Sequence, residues 1–178
     1  MMASNYLLCE GREIHFTEWG AHDAMPVIAW HGLARTGRDM DELAAHLSDR
    51  YRVICPDTIG RGLSQWSPQP EREYCLAFYG RLAVSLADQL GLERFHWVGT
   101  SMGGALGIRL AAGALKGRIR RLVLNDIGPK LGDFARPFHA EHGADAPRTA
   151  MHMALGHAEV GPIQAAGMDL DQHLGALR

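Results

Sequence analysis

Gly99-Thr100-Ser101-Met102-Gly103, followed by Gly104, sets one serine among small residues. An apolar run from Phe95 to Gly99 precedes it, and small and apolar residues from Met102 to Leu115 follow. The pattern predicts a strand, a sharp turn and a helix, with G-x-S-x-G at the turn. A hydroxyl held there stands out above the sheet and suits nucleophilic attack on a carbonyl. The new helix directs its N-terminal dipole at the place where oxyanion charge would develop. A Cβ at Gly99 or Gly103 is expected to collide with the neighbouring strand or helix, which explains the glycines. Two other readings remain beside this one: a glycine-rich turn with an incidental serine, and a dinucleotide-binding turn. The latter belongs to a first strand–helix unit with an acid about 20 residues on. Here several strands come earlier, and Asp126 stands where such an acid would sit.

Two further clusters close predicted strands. His31-Gly32-Leu33 ends the run Val27 to Trp30. A peptide N–H just after such a strand can face the serine, so the N–H groups of Leu33 and Met102 are the candidate oxyanion donors. His31 reads as a structural histidine that orients this loop. Asp57-Thr58-Ile59-Gly60-Arg61-Gly62-Leu63-Ser64 ends the next run. Asp57 is expected to bond loop backbone, and the glycines to supply positive-φ turns. Asp126 follows the Ile119–Asn125 run, where it can tie down Gly128-Pro129.

The elements that must hold these groups follow from patterning. Asn5–Cys9 and Glu13–Trp19 read as a hairpin around Glu10-Gly11-Arg12. Val27–Trp30, Arg52–Asp57, Phe95–Gly99 and Ile119–Asn125 are short apolar runs, as suits strands buried on both faces. Thr36–Asp49 reads as a helix with Thr36 and Asp39 at capping-box spacing and a stripe of Met40, Leu43, Ala44 and Leu47. Glu73–Gly91 reads as a second helix, and Thr58–Pro70 as loop. Alternating strands and helices predict an α/β fold with a mostly parallel sheet flanked by helices.

Composition sets the class. Hydrophobic residues make up 47% and charged residues 21% of 178, which fits a globular chain rather than a disordered or fibrous one. Net charge is −2, so no basic excess invites nucleic acid. Cys9, Cys55 and Cys75 form no metal or disulfide pattern, and Cys55 reads as a buried small hydrophobe. No signal or membrane segment is read, so a soluble cytoplasmic protein is expected. A serine nucleophile would make its partner a small-molecule substrate. Beyond Pro129 there are ten alanines, five histidines and only Val160 and Ile163 as β-branched aliphatics. Residues 1–130 are therefore read as the core and 131–178 as an irregular tail that can hold short helices. His139 and His142 flank Ala140-Glu141, but such spacings are common, and no metal site is assigned.

His31-Gly32, Asp57-x-x-Gly60-x-Gly62-x-Ser64, the Ser101 pentapeptide and Leu122-Val123-Leu124-Asn125-Asp126-Ile127-Gly128-Pro129 together resemble the α/β-hydrolase family, over about residues 6–129. The resemblance implies an eight-stranded, mostly parallel sheet, a partial helical cap at 131–178 and a Ser–Asp/Glu–His triad in that chain order. Ser101 is then the nucleophile, and Asp126, at a position used for the acid in a minority of relatives, is the candidate catalytic acid. A serine there is unlike the haloalkane dehalogenase and epoxide hydrolase branches, whose nucleophile is an aspartate. No cofactor is implied. An ester, a lactone or a related carbonyl compound is the implied substrate class. The strands that normally precede the acid and the histidine are not visible, so an inert, truncated hydrolase or a binding module is the alternative. Truncation would also leave Leu122–Asn125 as an uncovered sheet edge prone to self-association.

Overall fold

A computed structural model describes residues 2–127. The expectations for the cap at 131–178 and for His139, His142, His152, His157 and His173 lie outside the described residues. Among the described residues six strands form one sheet: β1 Met2–Cys9, β2 Arg12–Trp19, β3 Met25–Trp30, β4 Tyr51–Pro56, β5 Phe95–Thr100 and β6 Ile119–Asn125. Their spatial order is β1-β2-β4-β3-β5-β6. The β1–β2 hairpin is antiparallel and β2 joins β4 antiparallel, whereas β4, β3, β5 and β6 run parallel.

The apolar runs are explained by burial on both faces of the parallel part. Val27 and Ala29 of β3, Val53 and Cys55 of β4, and Val98 of β5 pack toward helix α1, Asp41–Leu47, where they meet Met40, Ala44 and Leu47. The alternate residues Ile28, Trp30, Ile54, Phe95 and Trp97 face the larger core under helices α3, Leu76–Gln89, and α4, Met102–Ala112. Period-two alternation along each strand thus fills two layers at once. The outer side of β6 has no paired strand among the described residues.

Three helix expectations are corrected. The first helix begins as a 3-10 turn, Gly37–Met40, and Thr36 makes no side-chain cap. The cap comes from another part of the chain: Gly37 N–H donates to Asp57 Oδ1 at 2.6 Å. Asp39 pairs instead with Arg35. The helix expected over Glu73–Gly91 is two pieces, α2 at Pro70–Glu73 and α3, separated by an extended Cys75 with φ −145° and ψ 155°. Tyr74 is held away from a continuous helix because its hydroxyl accepts the Ser67 N–H at 3.2 Å, while Glu73 is bound by Arg12 at 2.6 Å. The expected helix end at Leu115 is also short-ended: α4 stops at Ala112, with Gly113 as its cap.

Candidate active site

The sheet has a topological switch at its centre. From β3 the chain moves to β4 on one side and then crosses to β5 on the other. The loops leaving β3 and β5 therefore diverge, and a crevice opens at their carboxyl ends. Those loops begin with His31-Gly32 and with Ser101.

Ser101 occupies φ 48° and ψ −109° between β5 and α4. Positive φ is unusual for a residue with a Cβ and stores strain of about 1–3 kcal/mol. Its own N–H donates to Asn125 O at 2.8 Å and its carbonyl accepts the Ala105 N–H at 2.9 Å, so strand β6 and helix α4 both hold the turn. Space explains the neighbouring glycines as expected. A Cβ on Gly99 would lie 2.2 Å from Gly103 O, and one on Gly103 would lie 2.2 Å from Trp30 O. A Cβ on Gly104 would meet the Ile127 side chain at 2.4 Å. Trp97 adds a brace by donating its indole N–H to Gly103 O at 2.9 Å.

Gly32 faces this turn: a Cβ there would sit 3.8 Å from the Ser101 Cβ. The next residue, Leu33, is 47% exposed and lies within the turn Gly32–Arg35, closed by Arg35 N–H to Gly32 O at 3.2 Å. Met102 opens α4, where a helix has no carbonyl of its own to offer the N–H. The loop bearing Leu33 and the N-terminus of α4 thus meet beside Ser101.

His31 does not reach the serine hydroxyl. It is fully buried, with Nδ1 2.6 Å from Gly32 O and Nε2 3.0 Å from both the backbone N and the Oγ1 of Thr58. The Thr58 N–H can only donate, so Nε2 accepts and Nδ1 carries the proton. Burial pushes the imidazole below its ordinary pKa of 6.5, and the neutral ring ties the β3 loop to the β4 loop. Asp57 is the second tie. Its carboxylate accepts from Gly37 N–H, from Leu63 N–H at 2.9 Å and from His15 Nδ1 at 2.8 Å. Gly60 and Gly62 adopt φ of 76° and 52°, so the expected positive-φ turns are present.

Asp126 follows β6 at φ 56° and is exposed, and among the described residues its carboxylate makes no hydrogen bond. Among the described residues no histidine hydrogen-bonds Ser101. His15, the partner of Asp57, was not singled out in the sequence, because a histidine inside a strand run carries no local signal. Thr58, in the loop after β4, carries no local sign that its partner is His31, 27 residues earlier. No group of three or more metal-ligating side chains occurs among the described residues.

Comparison with known proteins matches residues 25–153 to the alpha/beta hydrolase fold. The chain belongs to the α/β-hydrolase family. It is 46% identical over 122 residues to the 3-hydroxybutyrate-oligomer hydrolase of Cupriavidus necator, covering 67% of this chain and 41% of that protein. It is 33% identical to the non-heme chloroperoxidase of Streptomyces lividans over 67% of this chain and 43% of the relative. The crystal structure of an alpha/beta hydrolase from Novosphingobium aromaticivorans superposes with a TM-score of 0.68 at 38% identity, covering 72% of this chain and 45% of that one. This α/β-hydrolase chain therefore spans less than half the length of these relatives. No helix among its described residues is long and apolar enough to cross a membrane.

Proposed function

We propose that the protein is a serine hydrolase in which Ser101 is the nucleophile and the N–H groups of Leu33 and Met102 hold the oxyanion. The observation that carries this reading is the strained backbone of Ser101 at the switch point, against the His31-Gly32 loop. In the reaction Ser101 Oγ bonds to the carbonyl carbon and its proton passes to a histidine base supplied from outside residues 2–127. The carbonyl π electrons move to oxygen, and that oxyanion accepts the two backbone N–H groups. The tetrahedral species then expels the alcohol oxygen, which takes the proton from the base. Water repeats the sequence on the acyl-serine, releasing the acid and restoring the hydroxyl. Small esters, lactones and related carbonyl compounds are the substrate class. The similarity to a 3-hydroxybutyrate-oligomer hydrolase makes a short 3-hydroxybutyrate oligomer, joined by esters, the first substrate to assay.

A second reading, an inert hydrolase-fold domain, is favoured by one observation: no described histidine meets Ser101. Loss of a triad base costs about 10⁴–10⁶ in rate. Treatment with a fluorophosphonate separates the two. Stoichiometric mass gain on Ser101, absent in Ser101→Ala, supports the hydrolase; a folded wild-type chain that stays unlabelled supports the inert domain.

A further inference from the structure

Arg61 stands between Gly60 and Gly62, in the loop after β4, and its side chain leaves that loop to grip another. Its Nε donates to the carbonyl oxygen of Leu33 at 2.9 Å. Its Nη1 donates to Ile59 O and to the Tyr79 hydroxyl, each at 2.9 Å. The guanidinium carbon lies 5.6 Å from the Tyr74 ring centroid and 5.4 Å from that of Tyr79, so two aromatic faces on different segments hold the cation. The backbone is fixed as firmly. Arg61 N–H donates to Thr58 O at 2.9 Å, and a Cβ on Gly60 would strike the Tyr74 hydroxyl at 2.5 Å.

The carbonyl that Arg61 holds is not an incidental one. Leu33 and Ala34 are the central residues of the Gly32–Arg35 turn, and the peptide between them is the one that rotates when such a turn changes type. Its orientation sets ψ of Leu33 and, with it, how the preceding N–H is presented. The Leu33 side chain is half exposed and supplies little restraint of its own. We infer that Arg61 is a positioning residue for oxyanion stabilisation: by gripping the Leu33 carbonyl it holds the Leu33 N–H on Ser101. The inference rests on the reading of Ser101 as nucleophile. The planar fork matters, because one guanidinium must serve the Leu33 carbonyl, the Ile59 carbonyl and Tyr79 together while lying on two rings. A single ammonium reaches one carbonyl but cannot fill the other positions.

The test uses the whole chain in three forms: wild type, Arg61→Lys and Arg61→Met. Two quantities are read at equal thermal midpoint, or corrected for its shift: the rate of fluorophosphonate labelling at Ser101 and amide hydrogen exchange at Leu33–Arg35. Misplacing one donor by about 1 Å costs about 100-fold. Arg61→Met is therefore expected to label ten- to a hundred-fold more slowly (an order-of-magnitude figure), to exchange faster at Leu33–Arg35 and to keep the exchange of β5 unchanged. Arg61→Lys is expected to recover part of the labelling rate. Equal labelling rates in all three, with unchanged loop exchange, would overturn the role of Arg61 and leave Ser101 as nucleophile. Slower labelling with uniformly faster exchange across β5 would also overturn it, as general destabilisation. A wild-type chain that takes no label would overturn the nucleophile and this inference with it.

Discussion

Gly103 is packed so closely against Trp30 that a Cβ on the glycine would lie 2.2 Å from the tryptophan carbonyl oxygen. Helix α4 begins, in effect, on the backbone of β3, and the contact admits no side chain. Gly103→Ala is expected to lower stability by about 3 kcal/mol, since neither backbone can yield without breaking the sheet. Urea unfolding of the variant beside wild type checks this; a shift in midpoint within error would show that the two elements are not in contact.

Asp57 holds three donors from three segments, and only a carboxylate has acceptors for all of them. Asp57→Asn keeps the shape but turns half of the acceptor into a donor. The loss is expected to be about 2–4 kcal/mol, because buried partners are left unpaired. Amide exchange should rise first at Gly37 and Leu63. Unaltered exchange at those two positions would argue against the role of Asp57 as a tie between loops.

Stability is expected to depend on pH below neutrality. Burial holds His31 below 6.5, and burial with Arg121 and Arg120 does the same for His96. Each takes up its proton in the unfolded chain before it does so in the folded one. Unfolding therefore binds protons, and stability present above 6.5 falls as pH drops through that value toward the lowered folded pKa, by up to about 1.4 kcal/mol per unit for each ring. Denaturation at about pH 7.5 and about pH 5.5 reads the effect, and the slope should be shallower in His96→Gln. A profile that stays flat would contradict a neutral buried His31.

The three thiols should separate by reactivity. Cys75 is exposed, whereas Cys9 and Cys55 are fully buried, and burial pushes the Cys55 thiol up to about 12 and that of Cys9 above its ordinary value. A disulfide reagent at mildly alkaline pH should modify Cys75 quickly and the other two only on unfolding. Fast modification of Cys55 in the native protein would place it outside the α1-side core.

Along β6, Leu122, Val123 and Leu124 are only half-buried, and their outer hydrogen-bonding edge is unpaired among the described residues. Sedimentation velocity across a wide range of concentration is expected to show association through this edge. A monomer at every concentration would count against it.

The parallel strands were legible because each is buried twice, and double burial writes an unbroken apolar run such as Val27–Trp30. The Ser101 turn was legible for a related reason: close approach leaves glycine as the only choice, so geometry shows in residue type. Ties made across the fold were not legible. Gly37 is capped by a carboxylate twenty residues away, Tyr74 is pulled from its helix by Ser67, and Arg61 serves a carbonyl in a distant loop. These partners stand seven, twenty and twenty-eight residues apart and leave no mark in residue type, so local propensity yields to them unannounced. No base is assigned to Ser101, because the sequence shows no local mark of one and no described histidine hydrogen-bonds the serine.

The brace on Gly103 has an optical consequence. Trp97 donates to that residue while stacking on Trp30, their ring centroids 5.5 Å apart and their planes 10° from parallel, and both indoles are buried. Two of the chain's four tryptophans are thus built into the walls of the serine turn. Native fluorescence doubles as a gauge of that turn, and a red shift on binding or substitution marks water reaching the site before the sheet itself gives way.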